Sequence, residues 1–177
     1  MEKDIKLAFE KLSDDIYKNL SYVNSGGCGI FANMIKDIFP NAKIYVLVWC
    51  TPTLYEDYIF NHLIVKIGNQ YYDAKGVVDI SKYTVITEKD LYSPEFATCT
   101  NLMYEITQQK LVEWLSQEDV WNPMFAENDG GIVRLSNIVD KYFYRFKFPI
   151  LANLNNDLLD SNTQIPESQE NVLDLTK

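Results

Sequence analysis

The chain has 177 residues, 47% hydrophobic and 14% aromatic, enough apolar material for one globular domain with a proper core. Its net charge of -9 argues against binding a nucleic-acid backbone, which requires a basic face. The longest continuous apolar run, 44–50, is far too short to span a membrane.

The N-terminus, Met-Glu-Lys-Asp-Ile-Lys, is charged and has no signal-peptide pattern. It leads into a helix over 3–20, with Ile5, Ala8, Phe9, Leu12, Ile16 and Leu20 on one face. Next comes Ser25-Gly26-Gly27-Cys28-Gly29-Ile30, a glycine-rich turn that delivers a cysteine to a helix start. Phe31, Met34, Ile35 and Ile38 supply the buried face, Ser25 is the expected N-cap, and Pro40 ends the run. A thiol in the first turn meets unpaired N–H groups and the positive end of the helix dipole, which favour the thiolate. The competing reading of Cys28 is a small buried thiol with no chemistry.

Residues 41–50 contain Ile44-Tyr45-Val46-Leu47-Val48-Trp49, expected as a strand buried on both faces. Thr51-Pro52-Thr53 breaks it. The following stretch to residue 60 reads as an aromatic, acidic loop whose Tyr55, Tyr58 and Phe60, together with Tyr22, are candidates for a substrate wall. Asn61 opens a strand that carries the chain's single histidine, His62, through Ile67. A turn at Gly68-Asn69 then puts Ile67 opposite Gln70 in a second strand over 70–74. By that parity Asp73 lies one diagonal step from His62 on the same face, at a Cβ spacing of roughly 7–8 Å. One hairpin thus presents a base and a carboxylate to orient it, the pair a nucleophilic cysteine requires. Asp79 is the rival acid, beyond Gly76.

Residues 77–80 and 83–86 read as short edge strands, and 87–100 as loop with a turn at Ser93-Pro94. A helix is expected over 106–116, starting near Thr107, with Trp114 and Trp121 as core residues. Asp129-Gly130-Gly131 is a loop, and Leu135, Ile138, Val139, Tyr142 and Phe146 mark the last helix. Its C-terminal Lys141, Arg145 and Lys147 suit the helix dipole. The expected domain is 1–152, followed by a polar, acidic tail over 153–177. Cys28, Cys50 and Cys99 are odd in number and widely spaced, which fits a reducing cytoplasm with Cys50 and Cys99 as buried thiols. One histidine without clustered cysteines gives no basis for a metal site, and no cofactor is expected.

The Gly-Cys-Gly helix start, the strand opening with His62 and the Tyr-Tyr-Asp-Ala-Lys-Gly return together resemble the papain-like cysteine-enzyme superfamily. Order and spacing are most similar to its transglutaminase-like branch, and to small bacterial and phage proteins with the same signature. The resemblance covers about residues 24–76. It implies Cys28 as nucleophile, His62 as base and Asp73 as orienting acid. The papain pattern places an oxyanion glutamine where this chain has Tyr22, so the oxyanion donors become the backbone N–H groups of Cys28 and Gly29, with Asn24 as a side-chain substitute.

The expected architecture is α+β, a central antiparallel sheet with the Cys28 helix packed on one face. The expected function is acyl transfer from a protein, peptide or small amide substrate by hydrolysis, deamidation or transglutamination. The alternative is a non-catalytic binding or inhibitor protein on the same fold, phage-encoded and directed at a host protein.

Overall fold

A computed structural model describes residues 1–20, 23–50, 58–91, 93–96, 101–116 and 130–147, except for the side chains of 50 and 58–61. Within them the apolar run after Ala42 forms β1 (Lys43–Cys50), with Ile44 through Val48 buried on both faces as the unbroken pattern requires. It lies between β2 (Tyr58–Ile67) and β6 (Asn101–Ile106), antiparallel to both. Outside β2 lie β3 (Gln70–Asp73) and β4 (Gly76–Val77), and outside β6 lies β5 (Thr84–Val85). The sheet order is β4-β3-β2-β1-β6-β5.

Four helices accompany the sheet among the described residues: α1 (Glu2–Asn19), α2 (Cys28–Ile38), α3 (Gln108–Leu115) and α4 (Gly131–Lys147). Their apolar stripes and one sheet face enclose the main core, built on Phe9, Phe31, Val46, Val65, Tyr72 and Phe143. Phe9 is its hub. Its ring stacks on Tyr72 of β3 at 4.1 Å and meets Phe31 of α2 and Phe143 of α4 edge-on at 6.3 and 4.8 Å.

The other sheet face buries Tyr45, Leu47, Ile64 and Met103 under Tyr71, Val78, Ile80 and Tyr83. The last three belong to the connection from β4 at one sheet edge to β5 at the other. This strap crosses the whole face, so one short connection supplies the apolar cover that a helical layer supplies opposite.

Several expectations change. The sheet is not wholly antiparallel, because the strap delivers β5 alongside β6 in a parallel pairing. Strand β6 was not anticipated, and Ile106, read as helical, is its last residue. Thr107 then caps α3, its hydroxyl accepting from the Lys110 N–H at 3.1 Å. The expected loop before Asn61 is strand from Tyr58, because a bulge lets β2 continue past residue 61 and keep pairing with β1. Ser25 is not the N-cap of α2. It ends a short 3-10 turn (Val23–Ser25), and Gly27 takes the cap position with no side-chain bond. Residues 22, 55, 99 and 121 and the proposed tail lie outside the described residues, as do the side chains of Cys50, Tyr58 and Phe60.

Candidate active site

The β2–β3 hairpin turns at Gly68, whose φ of 59° suits glycine, and pairs Ile67 with Gln70, Lys66 with Tyr71 and Val65 with Tyr72. Asp73 is the next residue along β3. The chain then reverses through Ala74-Lys75 to Gly76, at φ 106°, which pairs back with Asp73. In that reversal Asp73 Oδ1 accepts the Lys75 N–H at 2.7 Å. Its Oδ2 lies 2.9 Å from His62 Nε2 and also accepts from Asn24 Nδ2 at 2.9 Å.

His62 pairs with Leu47, while the next β1 residue, Val48, pairs with Phe60, so Asn61 is the extra residue of the bulge. Bulges bend a strand and re-aim the adjoining side chain. The His62 and Asp73 side chains are only 14% and 12% exposed, so water screens their contact weakly. Asp79, the rival acid, is exposed and accepts the Ser81 N–H within its own turn.

Cys28 is the first residue of α2. The turn before it is closed by the Gly27 N–H bonding to Val23 O at 2.9 Å, with Gly26 at φ 142°. No side chain caps the helix, which leaves first-turn N–H groups available to an anion. Packing at Gly29 is tight. A Cβ there would stand 3.1 Å from Leu115 Cδ2 and 3.3 Å from Leu63 Cδ1. This close approach holds Leu63 of β2 against the start of α2, where its backbone N–H favours the charged form of the Cys28 thiol.

Burial alone would push the Cys28 thiol up, but hydrogen bonding to His62, the imidazolium charge, and the N–H groups of Leu63 and Gly29 outweigh it, and the net shift is downward. For His62, burial opposes the charged ring, yet its bonds to Asp73 and Cys28 raise its pKa to about 9. The opposite shifts both favour the thiolate–imidazolium pair over the neutral one. With Nε2 on Asp73, Nδ1 is the ring nitrogen left for the sulfur.

The structure therefore brings Cys28, His62 and Asp73 together, and gives Asn24 a different place from the one expected. Its amide donates to Asp73, so it braces the carboxylate instead of facing an oxyanion. Tyr22, Tyr55, Tyr58 and Phe60 have no described side chains, and the substrate-wall expectation rests outside the described residues. Sequence reasoning missed the Leu63 and Lys75 N–H groups. Only the second had a local signal, an aspartate two residues ahead of the donor in a turn closed by glycine. Beside the site a cleft of about 450 Å³ opens between α1 and the β3–β4 turn, with Ser13, Tyr17, Asn24 and Lys75 on its walls.

Among the described residues no cluster of three or more His, Cys, Asp or Glu side chains suits a metal ion, and no helix is long and apolar enough to cross a membrane. No curated protein and no solved structure matches the chain. A family model described as Phage YunG-like protein matches residues 4–116, a span that contains Asn24, Cys28, His62 and Asp73, and the chain belongs to that family.

Proposed function

We propose that the chain is a cysteine-dependent acyl-transfer enzyme on a papain-like, transglutaminase-like plan, acting on amide or thioester groups of a protein, peptide or small molecule. One arrangement carries this reading: a buried imidazole bonded to the Asp73 carboxylate through Nε2, with the helix-start thiol of Cys28 close enough for each group to shift the other's pKa.

In the proposed reaction Cys28 Sγ attacks the acyl carbon, and the carbonyl π pair moves onto oxygen. The N–H groups at the start of α2 hold that oxyanion. Collapse restores the carbonyl and breaks the bond to the leaving amine, which takes a proton from His62. Water or a second amine then attacks the thioester while His62 accepts its proton, and sulfur departs as thiolate. Water gives hydrolysis or deamidation; an amine gives transamidation. Asp73 holds the ring and stabilises its charged form.

The test is incubation with a p-nitrophenyl ester followed by intact mass. A burst of nitrophenol with one acyl group on Cys28, absent in Cys28→Ala, is expected. A wild-type protein that gives neither acyl adduct nor burst overturns the reading. A second reading, a binding or inhibitor protein on the same fold, is favoured by Tyr22, which stands where the papain pattern has its oxyanion glutamine. Its signature is stable capture of a host protein by wild type and Cys28→Ala alike, without mass change in the captured protein.

A further inference from the structure

The segment that leads into Cys28 also carries Asn24, and that residue makes a contact 49 positions along the chain, from its Nδ2 to Asp73 Oδ2. Asp73 needs such a contact. Its Oδ1 is fixed by the Lys75 N–H, but the terminal torsion of an aspartate is broad, so one bond leaves Oδ2 free to swing away from His62. A second donor on Oδ2 removes that freedom.

The chemistry also sets which end of the amide faces Asp73. Reversing it would place Oδ1 against a carboxylate oxygen at 2.9 Å, two acceptors with no proton between them. In the observed orientation Oδ1 is buried with no hydrogen-bond partner among the described residues. A buried, unpaired carbonyl is destabilising, and an apolar side chain of the same shape would avoid it. A residue whose only task was to fill this space has no use for the amide. The donor is neutral as well, so it steers the carboxylate without cancelling the negative charge that His62 meets.

We propose that Asn24 is a positioning residue: its amide N–H holds Asp73 Oδ2 against His62 Nε2 and so sets the thiolate fraction of Cys28. This rests on the thiol-activation reading above. It also separates two jobs within one short segment, with Cys28 supplying the sulfur and Asn24 supporting the far end of the relay.

The test compares iodoacetamide labelling of Cys28 between pH 5 and 9, with a denaturation midpoint, in wild type, Asn24→Leu, Asn24→Gln and Asp73→Asn. Leucine keeps the branched shape of asparagine and removes both the donor and the unpaired carbonyl. The Asn24→Leu labelling curve is expected to move up by about half to one pH unit, slowing labelling at pH 7 roughly three- to tenfold, with stability unchanged or higher. Asn24→Gln retains a donor, and the adjoining cleft offers space for its extra methylene, so it should restore most of the wild-type curve. If Asn24→Leu does not fold, Asn24→Ala is read by the same criterion. A curve that stays at the wild-type position in the donor-less variant while Asp73→Asn shifts it overturns the role of Asn24 alone. A curve unmoved even by Asp73→Asn overturns the thiol-activation reading beneath it.

Discussion

His62 is the only histidine in the chain, which makes its proton directly observable. Its imidazole resonance should titrate near pH 9 in wild type, and at lower pH in both Cys28→Ala and Asp73→Asn, since each removes one bond that favours the charged ring. A wild-type midpoint near the ordinary value of about 6.5 would mean that burial outweighs both partners. The same pair governs stability against pH. A raised histidine stabilises the fold fully below about pH 6.5, and that contribution is lost as pH rises through its folded value of about 9. A lowered thiol contributes above its ordinary value of about 8.5 and loses that contribution as pH falls through its folded value. Above the folded Cys28 value and up to about pH 8.5 the two proton counts offset, so wild-type stability should change less with pH there than that of Cys28→Ala, which keeps only the histidine's loss as pH rises. Chemical denaturation at half-unit intervals checks this. Asp73→Asn should also shift Cys28 labelling to higher pH, while Asp79→Asn, exposed and bonded within its own turn, should not.

At the scale of elements, the junction of α2, α3 and β2 carries the tightest demand, because Gly29 admits Leu115 and Leu63 where a Cβ would stand. Gly29→Ala should cost about 1–3 kcal/mol by overpacking, and Leu115→Ala in the same protein should return part of it. A urea double-mutant cycle measures that coupling; an alanine as stable as the glycine would show that the leucines yield freely. The helices themselves were legible from spacing, since α1 buries Ile5, Ala8, Phe9, Leu12 and Ile16 on one stripe. Strand β6 was not, because Leu102-Met103-Tyr104 is a short apolar run without alternation. It becomes a strand by pairing with β1 along six positions and burying all three side chains. The continuation of β2 back to Tyr58 was hidden for a related reason, since a bulge breaks the alternation that marks a strand.

At the scale of the whole molecule, Phe9 ties α1 to β3, α2 and α4 through ring contacts, and it is fully buried. Phe9→Ala should therefore cost about 3–5 kcal/mol in chemical denaturation, while the Cys28 labelling curve of the folded fraction stays in place. A loss below about 1 kcal/mol would mean that the surrounding rings close the cavity. What the sequence determined by itself was set within short spans. Helix periodicity, the Gly68-Asn69 turn and the pairing parity that follows from it are decided by neighbours a few residues apart, and they put His62 and Asp73 on one hairpin. Only the tertiary structure decided that Asn24 braces Asp73 across 49 residues, that Leu63 of β2 seats against the start of α2 beside Cys28, and that a strap covers the second sheet face. Those contacts depend on how the helices and the strap seat on the sheet, and local spacing holds no record of that packing.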